Sequence, residues 1–251
     1  MEKESLVLKL ATNPMEYEKS FTLAHDIYTR IGVMEKNESR MRVSIYNMLP
    51  TTKLLVLKKN EEILSSITII EDSEFGLPSD EIFSAELKLL RTGNKKLFEA
   101  SCFVSSDSLK KNNSKYALEI CRKTIEYCAQ NQADYLIMGA NPEYKKFYEK
   151  ILGFEFITEE RCYSKVNNFP SILGILPKNK FNSATKKSAQ NKAESIKYLT
   201  NSKLAENEFL KMFGEKSNIL YTLNEKEKQT VANYYPEYKT FRILNNNEKI
   251  A

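Results

Sequence analysis

The 251-residue chain reads as a mixed α/β (α+β) protein, a central sheet flanked by helices and followed by a C-terminal helical extension. Three observations predict this. Apolar residues recur at helical spacing over residues 14–31 and again over 115–131. Between and after these segments lie short apolar runs, bounded by Gly, Pro and Asn, of the length and composition of strands. Beyond Pro177 the composition shifts to Lys, Asn, Ser and Glu with a recurring apolar stripe.

The first helix has a clear start and stop. Asn13 suits the cap, Pro14 the first helical position, and Gly32 follows the end. Tyr17, Phe21, Ala24, Tyr28 and Ile31 form its stripe, and His25 within it reads as a partly buried side chain. Residues 35–50 hold Arg40, Arg42 and Tyr46 among polar residues and read as a loop and a short helix. Residues 54–58 and 63–70, joined by the turn at Asn60, Glu61 and Glu62, form an antiparallel hairpin. The stretch 76–80 breaks the chain, and Ser79 or Asp80 caps a short helix that runs to Leu90.

The turn Thr92-Gly93-Asn94 leads into a strand over residues 96–104. Alternation places Leu97, Glu99, Ser101 and Phe103 on one face and Phe98, Ala100, Cys102 and Val104 on the other. A glutamate in such a strand is unusual, because burying it unpaired costs several kcal/mol or raises its pKa. The helix over 115–131 carries Ala117, Ile120, Cys121, Ile125 and Cys128 as its apolar stripe. Residues 134–140, apolar through the middle, suit a central strand covered on both faces. Pro142 opens a helix that ends at Gly153. Residues 154–157 and 162–166 read as a final pair of strands. In the tail, Ala193, Ile196, Leu199, Leu204, Phe209, Leu210 and Phe213 predict one long or broken helix, with a second near 225–235. The chain thus divides into a domain over 1–176 and a basic helical extension over 177–251 that packs back on it.

Composition limits the chemistry. Hydrophobic residues make up 41% and charged residues 28%, enough for a sizeable core and inconsistent with wholesale disorder. No apolar run reaches the roughly 18–20 residues a bilayer span needs. The mixed-charge N-terminus lacks the features of a signal peptide, so a cytoplasmic location is expected. Cys102, Cys121, Cys128 and Cys162 form no CxxC pair, and His25 is the sole histidine. No metal site is expected, and Ser-His-Asp and Cys-His mechanisms are disfavoured. Carboxylates, tyrosines, lysines and backbone groups are left to act. The segment from Asn179 onward holds 13 basic and 8 acidic residues, the whole of the +5 net charge. That suits either an acidic partner or a solvated helical surface. Nothing points to nucleic acid: the tail lacks interleaved aromatics, and no helix-turn-helix signal occurs.

Three segments carry a resemblance: LPSDEIFSAEL at 77–87, LFEASCF at 97–103 and NPEYKKFYEKILGF at 141–154. The strand–helix–strand–helix order from Leu97 to Phe154 resembles the core of the GNAT acyltransferases, implying a GNAT-like mixed, mostly antiparallel central sheet. Together the three segments resemble the long-chain N-acyl amino acid synthases, relatives of the acyl-homoserine-lactone synthases, over about residues 8–166. The resemblance implies transfer of a fatty acyl group from acyl carrier protein to the amine of an amino acid. No permanently bound cofactor is implied. The co-substrate would be an acyl-carrier-protein thioester or acyl-CoA, and the product would associate with membrane surfaces.

The chain departs from the wider pattern in three places. The GNAT phosphate loop is glycine-rich, whereas Asp107-Ser108-Leu109-Lys110-Lys111-Asn112-Asn113-Ser114 has no glycine. This disfavours close backbone approach to the pyrophosphate of coenzyme A. Lys110 and Lys111, with Asn112, Asn113 and Ser114, suit the single phosphate of a carrier protein's phosphopantetheine, or else form a solvated basic turn. Glu99-Ala100-Ser101-Cys102 lacks the arginine that homoserine-lactone synthases carry here. Tyr148 stands five residues before Gly153 where many GNAT enzymes place a tyrosine four before it. One residue turns a helical side chain by about 100°, so Tyr148 either protonates the leaving thiolate or only packs.

The resemblance implies these roles. Glu99 orients or deprotonates the acceptor's ammonium; the structural alternative is an ion pair with Arg91, Arg40 or Arg42. Arg40, Arg42 and Ser101 lie on the acceptor side. Backbone N–H groups near Phe103 and Val104 meet the oxyanion. The pantetheine arm enters between the strands at Phe103 and Gly139, where Asn141 either bonds it or caps the next helix. The first helix, the segment 77–90 and the tail wall an acyl pocket. An acetyl-CoA-dependent GNAT N-acetyltransferase and a degenerate, non-catalytic GNAT domain that binds a lipid or partner remain alternatives.

Overall fold

The computed structural model describes residues 6–109, 113–186 and 196–199. Its strands are β1 (Leu6–Leu10), β2 (Lys53–Lys59), β3 (Glu62–Glu71), β4 (Leu97–Ser105), β5 (Tyr135–Ala140), β6 (Glu155–Phe156), β7 (Arg161–Tyr163), β8 (Phe169–Pro177) and β9 (Ile196–Leu199). They lie in the order β6-β8-β5-β4-β3-β2-β1-β9, with β7 paired to β8. Only β4–β5 and β1–β9 run parallel; the other pairs are antiparallel. The sheet is therefore mixed and mostly antiparallel, as expected.

Helices cover both faces. On one face α1 (Pro14–Arg30) seats Tyr17 and Phe21 against Leu54, Val56 and Ile63. Beside it α2 (Asp80–Leu90) seats Phe83 and Leu87 against Ile70, Leu97, Ile137 and Leu173. On the other face α3 (Asn113–Gln130) buries Ile120, Cys121, Ile125 and Cys128 over Ile67, Ile69, Phe98, Leu136 and Met138. The alternation of β5 explains its central place: Leu136 and Met138 face α3 while Ile137 faces α2. Asn13 caps α1 through its side chain, which accepts from the Glu16 N–H at 3.0 Å. Among the described residues no helix is long and apolar enough to cross a membrane.

Five expectations are corrected. β1 is a strand that the mixed-charge N-terminus concealed; its Leu8 enters the core and it pairs with β2. β8 was also unforeseen. The stretch before Pro177 carried no strand assignment, yet β8 pairs with β5, β6 and β7. A Cβ at Gly174 would lie 2.8 Å from the Phe156 ring, so glycine here admits close packing rather than a turn. Ile196 and Leu199, assigned to a helix, belong to β9 on the β1 edge, where strand pairing overrides helical spacing. The two tail helices beyond residue 200 lie outside the described residues. The helix after Pro142 is composite. Its first turn is a 3₁₀ turn (Pro142–Tyr144), its α-helical part is α4 (Lys145–Phe147), and it closes with a π-helical turn (Tyr148–Leu152).

The fifth correction concerns β4. Ser66 pairs with Val104 and Thr68 with Ser101, so Cys102 and Phe103 together oppose Ile67. This is a β-bulge, and Cys102 takes a φ of 51° to make it. The bulge moves Phe103 across the sheet: it packs with Phe98 and Ala100 on the α3 face, not with Glu99.

Candidate active site

β4 and β5 start as neighbours and then part. Their ladder holds three pairs, Leu97–Tyr135, Phe98–Leu136 and Glu99–Ile137, and ends there. The Cys102 bulge bends β4 away just beyond. A cavity of about 800 Å³ passes through the opening, lined by residues 100–105 of β4 and 138–141 at the end of β5. One branch runs under α3 and the composite helix, past Ala117, Cys121, Ile125, Met138, Leu152 and Phe154. The other opens on the α1–α2 face, past Glu99, Ser79, Arg42, Tyr28 and Tyr163.

Glu99 stands at the last ladder pair and is 3% exposed. No cation meets it. Arg91, one expected partner, is instead held by Asp72 at 2.6 Å and by Asp80. Arg40 pairs with Asp26 at 3.4 Å, and Arg42 lies over the Tyr28 ring. Among the described residues the Glu99 carboxylate accepts from Ser79 alone, from the N–H at 3.0 Å and from Oγ at 2.9 Å. Burial pushes its pKa up to about 8; the two Ser79 bonds oppose this, and Asp80 and Asp72 add to it. A carboxylate of that strength is matched to taking a proton from an ammonium near neutral pH.

Arg42 reaches the same branch from the loop after α1, its backbone N–H bonded to Phe21 O at 3.0 Å. Its guanidinium lies 5.1 Å from the Tyr28 ring centroid, a cation–π geometry. Burial alone would lower its pKa, but Cys102, Tyr28 and Tyr163 outweigh burial and raise it on balance. Among the described residues it meets no carboxylate. Tyr163 spans the branch and donates to Pro78 O at 3.1 Å.

Tyr148 lines the cavity where the composite helix crosses it. Its ring packs edge-on against Phe147 and Phe154. Burial raises its hydroxyl pKa, and Cys121, Tyr28 and Tyr144 add to the rise. The π-turn answers the spacing problem. A π-turn closes i→i+5 and so holds one residue more than an α-turn. Here the Gly153 N–H reaches back five residues to Tyr148 O, and Gly153 ends the turn at φ 79°. A tyrosine five before the glycine is thus turned to where one four before it would point in an α-helix.

The other expected residues fall in three groups. Phe103, Val104, Ser101, Ser114 and Asn141 line the cavity. Asn141 Oδ1 caps the turn that follows it, accepting from the Glu143 N–H at 2.9 Å. Arg40 does not reach the site; its side chain is 69% exposed on the outer surface of α1. Lys110, Lys111, Asn112 and the Asn113 side chain lie outside the described residues. Ser79 and Tyr28 were missed as site residues. One looked like a helix cap and the other like part of a core stripe, and no local signal distinguishes those roles. Among the described residues no group of three His, Cys, Asp or Glu is placed to hold a metal ion.

Comparison with known proteins places this geometry. The family model of the N-acyl amino acid synthase FeeM matches residues 19–176. The fold is similar to the solved structure of FeeM, an N-acyl amino acid synthase from uncultured soil microbes. The TM-score is 0.63 at 26% identity, over 74% of this chain and 98% of that one. The AHL synthase LasI shares the fold at TM-score 0.57 and 13% identity, over 74% of this chain and 96% of its own. BjaI, a CoA-dependent acyl-homoserine lactone synthase solved with SAM and isopentyl-CoA, does so at TM-score 0.54 and 10% identity, over 85% of this chain and 99% of its own. No curated protein sequence matches.

Proposed function

Because this chain belongs to the N-acyl amino acid synthase FeeM family and is an acyltransferase, we propose that it moves a long acyl chain from an acyl carrier protein to the amine of an amino acid. One observation carries the reading: Glu99 is buried, with no cation among the described residues beside it, at the point where β4 and β5 part and the cavity opens.

The acyl chain lies in the apolar branch beneath α3, and the pantetheine arm runs through the gap between β4 and β5. The amino acid enters the other branch, with its carboxylate on Arg42 and its ammonium toward Glu99 and Ser101. Glu99 takes a proton from the ammonium. The freed amine attacks the thioester carbon; the C–N bond forms as the oxyanion meets backbone N–H groups of the Ser101–Val104 stretch. The C–S bond then breaks, and the thiolate takes the proton of Tyr148; the amide nitrogen gives its surplus proton to the Tyr148 phenolate, and Glu99 releases its own proton to solvent. The loop 107–114, with Lys110 and Lys111 and no glycine, favours a carrier-borne phosphopantetheine over coenzyme A. An acidic carrier surface would meet these lysines and Lys115.

Mass spectrometry of lipids from cells overproducing the protein tests this. The wild type should accumulate an N-acyl amino acid, which names both acyl chain and acceptor. Glu99→Gln should abolish it with the fold intact, and the wild-type rate should rise with pH through about 8 as Glu99 loses its proton. Equal product from the variant would remove Glu99 from the mechanism. In vitro, a long acyl carrier protein thioester should outcompete acetyl-CoA; the reverse would make this an acetyltransferase.

A further inference from the structure

Ser79 occupies the position before the first residue of α2, where a serine ordinarily caps the helix. Here its side chain makes no capping bond. Both its donors go instead to Glu99, one to each carboxylate oxygen. Ser79 is itself 2% exposed, so these bonds form away from competing water. The surroundings fix the serine in turn. Asp80 Oδ2 accepts from the Leu77 N–H at 2.7 Å, and Arg91 joins Asp80 to Asp72. The turn over 77–80 is therefore tied down from two sides. Space for the hydroxyl comes from β5: a Cβ at Gly139 would lie 3.3 Å from Ser79 Oγ and 3.1 Å from Ser171 Oγ.

We infer that Ser79 is a positioning residue for Glu99, and that Gly139 is glycine to leave that serine room. Two donors on two oxygens fix the plane of the carboxylate and leave its remaining lone pairs toward the cavity. With no cation in reach among the described residues, Ser79 and the N-terminal end of α2 supply the positive potential that keeps the ionised form accessible. Asp80, at the same helix end, would oppose this, but Arg91 pairs with it. The inference rests on the role proposed for Glu99.

Steady-state pH–rate profiles of Ser79→Ala, Ser79→Thr and Gly139→Ala, with Glu99→Gln beside them, provide the test. Ser79→Ala should lower kcat at neutral pH by about tenfold, as for loss of one hydrogen bond to a charged group. It should also move the midpoint of the acid limb to higher pH while leaving the KM for the acyl donor unchanged. Ser79→Thr keeps the hydroxyl and should return the midpoint toward wild type. Gly139→Ala crowds the hydroxyl from the opposite side and should shift the midpoint in the same direction as Ser79→Ala. A wild-type midpoint in Ser79→Ala overturns the inference, whether or not the rate falls, because a purely structural loss leaves the titration in place. Full turnover by Glu99→Gln would instead overturn the Glu99 reading on which it rests.

Discussion

Two glutamates share the same degree of burial and have opposite chemistry. Glu16 is 2% exposed and Glu99 is 3% exposed. Burial by itself would raise the Glu16 pKa, but the Thr12 N–H, Lys9 and Lys58 outweigh it and hold it below the usual carboxylate range. Both lysines approach to 2.9 Å. Among the described residues Glu99 has only the neutral donors of Ser79, and burial pushes it up to about 8. The linkage signs follow. Glu16 contributes stability that is present above its unfolded pKa and lost as pH falls through its lowered folded value. Glu99 removes stability as pH rises from its unfolded value toward about 8. Glu16→Gln should therefore cost about 3 kcal/mol at pH 7, since it takes the shared carboxylate from two largely buried lysines, leaving Lys9 the Thr12 hydroxyl and Lys58 the exposed Glu61 at 3.6 Å. The deficit should shrink on acidification in chemical denaturation run at several pH values; a constant deficit would show that the ion pairs are not its source. From sequence, Glu99 stood out as a charge in an apolar strand, whereas Glu16 looked like an ordinary residue of a helix's first turn. Which of them had cationic neighbours depended on strands β1 and β2 arriving from elsewhere in the chain.

At the scale of elements, the segment NPEYKKFYEKILGF was readable as a helix from Pro142 to Gly153, and its ends hold. Its interior was not readable, because the choice between an α- and a π-turn depends on what its side chains pack against. Leu152 and Phe154 are buried in the core and Tyr148 packs on Phe154, and the wider turn holds all three together. Ile151, within that turn, is 41% exposed. Deleting it should convert the π-turn to an α-turn and keep Tyr148 on the cavity. Far-UV circular dichroism should be unchanged and turnover within about tenfold of wild type, ~1.4 kcal/mol in barrier. A folded deletion variant without activity would show that the π-turn does more than restore the direction of Tyr148. The bulge in β4 is the corresponding case in a strand. Strict alternation carried Phe103 to the wrong face, because nothing local in FEASCFVS marks Cys102 for positive φ.

For the whole molecule, the segment after Pro177 was expected as an extension. In its described part, α5 (Lys178–Lys186) lies along α3, with Phe181 and Ala184 in the main core beside Cys128 and Ala133. β9 lengthens the sheet at β1. Phe181→Ala should therefore destabilise the entire fold by about 3 kcal/mol in a single cooperative transition. A separate early transition in calorimetry would make the segment an independent unit. By itself the sequence determined the elements with strong periodicity or caps, α1, the β2–β3 hairpin, α2, α3 and β5, along with the family resemblance, and it singled out Glu99 as a candidate. Those features are written locally, in spacing, end residues and one misplaced charge. Only the tertiary structure decided that Arg91 serves Asp72 and Asp80, that Ser79 serves Glu99, that Arg40 stays outside while Arg42 enters, and that β8 and β9 are strands. Each of these depends on groups distant in the chain competing for one position, and pairing and burial, not local propensity, settle that competition.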